Sequence, residues 1–245
     1  MKEFQDNIII GRNPVIEALK TGREIEKICI AKGTEGSIKK IEAMAAEAGL
    51  SVFYEEKRVL DKISPGNHQG VIAYVSAYVY CDVEDIMERA VKSGEDPFII
   101  ILDGVEDPHN LGAVMRTAEA CGAHGIVIPK RRSASVNATV VKASAGAAEH
   151  VLCARVPNIG QVIDKLKGFG VWIAACDTGG EPYYKSNLNG GVGLVLGGEG
   201  TGLGTLVKKK CDFTLSIPMK GQINSLNVSN AAAILMYEVR RQRDG

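Results

Sequence analysis

The sequence predicts an α/β protein with a small N-terminal α/β unit over residues 1–76 and a larger C-terminal α/β domain over residues 97–245, with residues 77–96 as linker. In both parts, short apolar runs with the period of strands alternate with apolar residues at helical spacing. In the second part the alternation continues for about 150 residues, which predicts a mostly parallel sheet covered by helices on both faces.

Two helices and three strands are predicted in the N-terminal unit. The first helix is expected from Asn13 to about Lys20 and to end at Gly22, because asparagine followed by proline is typical of a helix start. The second helix is expected over Ser37–Ala48, with Gly49 as its stop. The strands are expected at Ile28–Ile30, Val52–Tyr54 and Val71–Val75.

The acidic segment 77–96 keeps apolar residues at helical spacing from Val83 to Val91, which predicts a helix packed on one of the two parts. Beyond Pro97 the alternation is regular. Strands are expected at Phe98–Leu102, Gly125–Ile128, His150–Ala154, Val171–Ala175, Gly193–Leu196 and Phe213–Ile217. Helices are expected at about Leu111–Cys121, Val136–Ala143, Ile159–Leu166, Leu203–Lys210 and Ser225–Arg241.

The charge is balanced overall but uneven along the chain. The chain has 29 basic and 29 acidic residues, so its net charge is zero. Residues 97–245 nevertheless carry an excess of basic side chains, in clusters at Lys130–Arg132, Lys208–Lys210 and Arg240–Arg243. Such clusters can bind phosphate on a neutral protein, although each is also typical of a solvated surface.

Cysteine spacing and hydropathy limit the class of protein. The six cysteines form no C-x-x-C pair, so we expect buried free thiols, no disulfide framework and no metal site. No apolar run approaches the length of a membrane-spanning helix, and no basic-plus-apolar leader begins the chain. We therefore expect a cytoplasmic protein without membrane segments.

Loops after the predicted strands are where parallel α/β folds bind ligands. The loop Asp103–Asn110 leads into a helix in which Arg116 lies off the apolar face, and Asn110 is expected to cap that helix. The last helix is preceded by a polar loop, with Ser225 and Asn227 expected in its first turn.

The loop Leu196–Gly204 is rich in glycine around Glu199, which allows a backbone to approach a ligand closely. No Gly-Lys-Ser/Thr follows it, so it is not a Walker A loop. It also fails to match G-x-G-x-x-G and follows a late strand, whereas the dinucleotide fingerprint follows the first strand of a βαβ unit. These two differences exclude a dehydrogenase.

Three ordered motifs carry a resemblance to a known family. They read Asn110-x5-Arg116-Thr117-Ala118, then Leu196-Gly-Gly-Glu199-Gly-x-Gly202, then Ile217-Pro218-Met219 followed by Ser225-Leu226-Asn227-Val228-Ser229-Asn230-Ala231-Ala232. In this order and in strand–loop–helix settings, they resemble the motifs of the SpoU (TrmH-type) RNA 2′-O-ribose methyltransferases of the SPOUT class.

The N-terminal unit carries a second resemblance, in Gly11-Arg12-Asn13-Pro14-Val15 and His68-Gln69-Gly70-Val71. These stretches resemble the small L30e-like RNA-binding domain of the subgroup that methylates a guanosine ribose in bacterial 23S ribosomal RNA. The resemblance implies that residues 1–76 bind the RNA substrate and that residues 97–245 form the catalytic domain.

The family resemblance also implies a deep trefoil knot at the chain end and a homodimer with its active site near the subunit interface. The implied cofactor is S-adenosyl-L-methionine, bent and held mainly by backbone groups. The family pattern places it at Gly197, Ile217 and Leu226, with Leu196, Gly198 and Met219 as neighbours.

Arg116 matches the family residue that activates the ribose hydroxyl. Because the pKa of arginine exceeds about 12, we expect it to stabilise the developing alkoxide or to clamp the adjacent phosphate. Asn110, Glu199, Ser225 and Asn227 are expected to orient Arg116, the ribose and the cofactor, and an ion pair between Glu199 and Arg116 would be one such contact.

Two alternatives remain open at this stage. A tRNA 2′-O-methyltransferase of the same family would carry the same motifs. A non-catalytic RNA-binding protein would fit the N-terminal unit and the basic clusters, but it would have no need of Arg116, Glu199 and Asn227 together.

Overall fold

The structure is a computed structural model that describes residues 8–21, 23, 25–66, 68–75, 78–200 and 202–245. The chain divides into two compact units, Met1–Val79 and Tyr80–Gly245. The expected helix stop at Gly22 lies outside the described residues. None of the helices in the described part of the chain is long and apolar enough to cross a membrane.

The N-terminal unit is a four-stranded mixed sheet with three helices. Its elements are β1 (Ile8–Ile10), α1 (Arg12–Lys20), β2 (Ile25–Ala31), α2 (Ile38–Glu47), β3 (Ser51–Glu55), α3 (Lys57–Ile63) and β4 (Val71–Val75). The strand order is β1-β4-β2-β3, in which only β2 and β3 are parallel. Alternate residues of β2 point to opposite faces, so Ile28 and Ile30 pack with α1 and α2, while Cys29 packs with Leu60 of α3.

Sequence periodicity missed two elements of this unit. β1 has three residues, too few to show a period. α3 has only seven residues, and its apolar residues Val59, Leu60 and Ile63 are too few to show a helical period.

The C-terminal unit is a six-stranded sheet whose strand order is β10-β8-β9-β5-β6-β7, with every neighbouring pair parallel. The expected parallel sheet is therefore confirmed. The strands are β5 (Phe98–Asp103), β6 (Gly125–Pro129), β7 (Leu152–Val156), β8 (Trp172–Pro182), β9 (Val192–Gly197) and β10 (Phe213–Ser216). The helices are α4 (Val83–Ser93), α5 (Pro108–Ala120), α6 (Ala138–Ala143), α7 (Ile159–Gly168), α8 (Thr205–Lys210) and α9 (Val228–Asp244), with 3-10 turns at Ala147–Glu149 and Tyr183–Lys185.

Helices cover both faces of this sheet. Ile99 and Ile101 of β5 pack into one buried cluster with α4 and α7, and α8 lies against the same cluster. Ile100 and Leu102 point the other way by strand alternation. The segment 77–96, expected to be a linker, thus contributes α4 to the second unit.

Two helix starts differ from the expected positions. α5 begins at Pro108, because the Asp107 side chain accepts the His109 N–H at 2.8 Å. The expectation that Asn110 caps this helix is therefore wrong, and Asn110 lies inside the first turn, 7% exposed. α9 begins at Val228 with Asn227 as its N-cap, so Ser225 precedes the helix instead of lying in its first turn.

β8 is longer than expected, reaching Pro182 instead of Ala175. Its second half pairs with β10, where Leu215 lies opposite Glu181 after a register shift. This half contains Gly179 and Gly180 and has no apolar alternation, so the sequence gives no strand signal there.

Candidate active site

The loop after β9 packs tightly against backbone. The Gly198 N–H donates to the Asp103 carbonyl at 2.9 Å, and the Gly202 N–H donates to the Gly198 carbonyl at 3.1 Å. A Cβ atom on Gly198 would lie 1.9 Å from the Gly104 carbonyl oxygen, and one on Gly197 would lie 2.2 Å from the Gly202 carbonyl carbon. Glycine is required at both positions, because any side chain would push neighbouring backbone away.

A cavity of about 470 Å³ opens beside this loop, within the range of about 300–1,000 Å³ typical of small-molecule sites. It lies beside the middle of β8 and the carboxyl ends of β9 and β10, and it extends along the loop 217–227 to the start of α9. All six residues expected to bind a cofactor line it: Leu196, Gly197, Gly198, Ile217, Met219 and Leu226. Its lining mixes apolar side chains with glycine backbone.

The middle of β8 contributes lining residues that sequence reasoning missed, Cys176, Asp177 and Thr178. Asp177 accepts a hydrogen bond from the Lys208 Nζ at 2.6 Å. Partial burial raises the pKa of Asp177, but the hydrogen bonds from Lys208 and Thr178 outweigh that effect and hold the pKa below its usual value. The sequence does carry a signal for these residues. Asp-Thr-Gly-Gly follows a predicted strand and is polar and rich in glycine, as are the loops that contain Asn110 and Glu199.

A polar cluster joins the first, second and third motifs at one edge of the cavity. The Glu199 Oε1 atom accepts from the Asn110 Nδ2 at 2.9 Å and from the Asn227 Nδ2 at 2.7 Å. The Asn227 Nδ2 also donates to the Asn110 Oδ1 at 3.0 Å. Ser225 lines the same cavity. Four of the five expected catalytic residues therefore lie at one site.

Arg116 is the expected catalytic residue that stands apart. It is exposed on α5, on the side away from the buried face of Leu111, Val114 and Ala118. The expected ion pair with Glu199 is not formed, because Glu199 is held by the two asparagine amides. Within the described part of the chain, Arg116 has no ion-pair partner, so its guanidinium can bind a ligand.

Two of the three basic clusters are largely paired within the chain. Lys208 pairs with Asp177 and Lys210 pairs with Asp164. Arg241 pairs with Glu238, and the Arg243 guanidinium donates to backbone carbonyls including that of Gly190. These clusters are weaker candidates for phosphate contacts than their sequence suggests.

The six cysteines are all free. Cys29, Cys121 and Cys153 are buried, as expected, whereas Cys81, Cys176 and Cys211 are only half-buried. Among the residues that the structure describes, no group of three or more His, Cys, Asp or Glu side chains could hold a metal ion.

Comparison with known families covers both units. The sequence profile described as the SpoU rRNA Methylase family matches residues 97–237. The profile described as RNA 2′-O ribose methyltransferase substrate binding matches residues 8–81.

Similar proteins match nearly the whole chain. The Bacillus subtilis protein named "Putative TrmH family tRNA/rRNA methyltransferase YacO" is 45% identical, over 98% of this chain and 97% of its own length. The SpoU methyltransferase AviRb of Streptomyces viridochromogenes, solved with the cofactor AdoMet, is 26% identical with a TM-score of 0.63, over 97% of this chain and 90% of its own. An AdoMet-bound rRNA methyltransferase of Sinorhizobium meliloti is 26% identical with a TM-score of 0.59, over 96% of this chain and 87% of its own.

These matches confirm the fold class expected from the motifs, a SPOUT-type C-terminal α/β domain preceded by a small α/β domain. They agree with the site geometry, since the three motifs that carried the resemblance meet at one cavity. The chain belongs to the SpoU (TrmH-type) family of RNA 2′-O-ribose methyltransferases.

Proposed function

We propose that this protein transfers the methyl group of S-adenosyl-L-methionine to the ribose 2′-OH of a guanosine in bacterial 23S ribosomal RNA. The observation that carries the catalytic part of the proposal is the Asn110–Glu199–Asn227 cluster at the edge of the cavity. Residues that are 89 and 117 positions apart in the chain meet there through side-chain hydrogen bonds.

The cavity fits S-adenosyl-L-methionine in size and chemistry. Its volume of about 470 Å³ suits a ligand of this size. Gly197 and Gly198 present backbone that a ligand can approach closely, and Leu196, Ile217 and Leu226 supply apolar walls. Glu199 adds a carboxylate that suits a cationic ligand. When bound, this cofactor supplies an electrophilic methyl group on a sulfonium.

The protein's own residues align the acceptor hydroxyl. Methyl transfer is an in-line displacement, which requires that the ribose oxygen be held in line with the methyl group and lose its proton. We assign Asn110, Glu199, Ser225 and Asn227 to the positioning of the ribose and cofactor. Arg116 stabilises the developing alkoxide or clamps the adjacent phosphate, because a guanidinium is a strong, permanently charged donor.

The two units have different roles in this proposal. The N-terminal unit holds the RNA, and the C-terminal unit holds the cofactor and performs the transfer. The chain acts as a homodimer with the active site near the subunit interface. Exposed apolar side chains near the cavity and on α9 support this, namely Ile223, Leu226, Ile234 and Tyr237. Sedimentation equilibrium should give twice the chain mass, and a monomer at micromolar concentration would contradict it.

The decisive experiment maps ribose methylation in RNA from cells with and without this protein. One guanosine of 23S ribosomal RNA should lose its 2′-O-methyl group in the deletion strain and regain it when the gene is restored. A missing methyl group in tRNA instead would establish the tRNA alternative. Unchanged methylation of both RNAs, together with RNA binding, would favour a non-catalytic RNA-binding protein.

A further inference from the structure

A second cavity, of about 610 Å³, lies within the N-terminal unit. It is lined by Arg12 of α1, Ala31 at the end of β2 and the loop Lys32–Thr34 that follows, Lys57 and Asp61 of α3, and the loop before β4. Parts of the two N-terminal stretches that carried the resemblance, around Arg12 and around His68, therefore meet at one pocket. We call it the N-terminal pocket.

Its charge is mostly positive. Arg12, Lys32 and Lys57 line it, and Asp61 is the one acidic residue among its described lining residues. Lys32 pairs with Glu56 at 3.0 Å on the surface, an exposed ion pair of little energetic weight. A concave site with three cationic side chains attracts phosphate.

The pocket floor is held in a defined conformation. His68 is 2% exposed, and its Nδ1 accepts the Gly70 N–H at 2.9 Å. The Nε2 atom therefore carries the proton and donates to the Asp61 Oδ1 at 2.9 Å. This bond fixes the Asp61 carboxylate at the pocket, and within the described residues no other hydrogen bond to this carboxylate is formed.

Backbone strain accompanies this arrangement. Gln69 has a φ of +52°, an uncommon value for a residue with a side chain. The Arg12 Nε donates to the Gln69 carbonyl at 3.0 Å and helps to hold that conformation. Strained backbone of this kind clusters at ligand-binding sites.

The size and charge pattern identify the ligand class. A single phosphate would leave most of the volume empty, whereas a nucleotide falls within the ligand size range of such pockets. Asp61 repels phosphate but accepts hydrogen bonds from the N–H groups of a base. Those groups are engaged in a base pair and become available in an unpaired nucleotide.

We propose, resting on the proposed function, that the N-terminal pocket binds one unpaired nucleotide of the RNA substrate. Its phosphate lies against Arg12, Lys32 and Lys57, and the hydrogen-bonding edge of its base meets Asp61. The pocket thus selects a site in the RNA by a splayed-out nucleotide, at a place separate from the nucleotide that is methylated.

The test measures binding of the full-length protein to three RNA hairpins. One carries a single unpaired guanosine, the second an abasic ribose at that position, and the third is fully paired. The variants are Lys32→Ala/Lys57→Ala, which removes two exposed cations, and Asp61→Asn, which can still accept from His68. The matched control is Lys39→Ala/Lys40→Ala, which removes two exposed cations on α2 outside the pocket.

The wild type should bind the unpaired-guanosine hairpin about tenfold more tightly than the abasic one, the scale of one good side-chain contact to a base. Lys32→Ala/Lys57→Ala should weaken binding and lower the salt slope of log K by about 0.7 for each single-strand phosphate that is no longer neutralised. Asp61→Asn should abolish the preference over the abasic hairpin and keep the salt slope. The control should match the wild type in both measurements.

Two results would overturn the pocket assignment. One is equal wild-type affinity for the guanosine and abasic hairpins. The other is wild-type affinity and salt slope in Lys32→Ala/Lys57→Ala, with thermal melting confirming that the variant is folded. Failure of the proposed function looks different, since the wild type would then transfer no methyl group to ribosomal RNA whatever the hairpins show.

Discussion

The two pockets of this chain are built in opposite ways. The cavity of the C-terminal unit is walled by glycine backbone and apolar side chains, and its one lysine-paired acid, Asp177, is largely neutralised. The N-terminal pocket is lined by three cations on loops and helix starts. The C-terminal cavity suits recognition by shape, so an added side-chain atom should weaken ligand binding there. The N-terminal pocket suits recognition by charge, so removal of its cations should weaken ligand binding there.

The largest effect is expected where an added atom meets backbone. Gly198→Ala would place a Cβ atom 1.9 Å from the Gly104 carbonyl oxygen. We expect S-adenosylhomocysteine binding to fall below detection and unfolding free energy to drop by about 1–3 kcal/mol, as in overpacked sites. Calorimetry and urea unfolding measure both.

Gly221→Ala is the matched control, because a Cβ atom there meets its nearest described neighbour at 4.0 Å and lies in the loop beside the same cavity. It should bind the cofactor product normally. If Gly198→Ala also did so, the tight backbone packing would not shape the site. A folded Gly198→Ala protein should bind the RNA hairpins with wild-type affinity. That result would show that the two pockets bind their ligands independently.

Arg116 lies outside both pockets, so its replacement should affect the reaction and little else. Arg116→Ala should slow single-turnover methylation by about two orders of magnitude or more, the scale seen when a charge-stabilising group is removed. Unfolding free energy should stay within about 1 kcal/mol, because the side chain is exposed. Arg116→Lys should rescue poorly, since an ammonium lacks the planar fork. A near-normal rate in Arg116→Ala would remove this residue from the mechanism.

Glu199 should contribute to both structure and reaction, unlike Arg116. Glu199→Ala leaves the Asn110 and Asn227 amides without their shared acceptor, and Asn110 is 7% exposed. We expect a loss of about 1–2 kcal/mol in unfolding free energy, the cost of an unsatisfied buried donor. Glu199→Gln keeps an acceptor oxygen and should lose less. Equal urea midpoints for the two variants would show that the hydrogen bonds to Glu199 do not stabilise the fold.

The smallest expected effect is a pH dependence of the unfolding free energy that arises from His124 in the C-terminal unit. Burial lowers the pKa of His124 below its ordinary 6.5, although the nearby Glu95 partly offsets this. The unfolded chain then binds a proton that the folded chain excludes. Stability from His124 is complete above pH 6.5 and declines below it, by at most about 1.4 kcal/mol per pH unit.

Urea unfolding between about pH 5.5 and 7.5 checks this, since that range spans the ordinary pKa, below which the decline begins. In His124→Gln the amide oxygen can accept the Phe98 N–H, as the Nδ1 of His124 does at 2.9 Å. In that variant the unfolding free energy should depend less on pH than in the wild type. His150→Gln, at an exposed position, should show the same pH dependence as the wild type. Identical profiles in all three would contradict the role of His124.

The sequence predicted most of the C-terminal unit because its strands are buried on both faces and its helices have clear apolar stripes. β5 and β9 lie within one residue of their expected ends. All six residues expected to bind the cofactor line the cavity, and the family motifs had named each of them individually.

What the sequence did not predict depends on contacts between distant segments. The last residues of β8, Glu181 and Pro182, pair with Leu215 and Ser216 of β10, a contact that no local pattern of β8 reveals. The sequence predicted Asn110 as a helix cap. In the structure Asp107 caps the helix, and the Asn110 amide donates to Glu199. The N-terminal pocket joins residues 57 positions apart, a distance that no local pattern reveals.

The most direct test of the cofactor site is a calorimetric titration of S-adenosylhomocysteine and of NAD into the full-length protein. We predict that S-adenosylhomocysteine binds the wild type and Lys32→Ala/Lys57→Ala with equal affinity, that it fails to bind Gly198→Ala, and that NAD does not bind. Binding of NAD to the wild type, or no binding of S-adenosylhomocysteine to it, would contradict the assignment of this cavity to S-adenosyl-L-methionine.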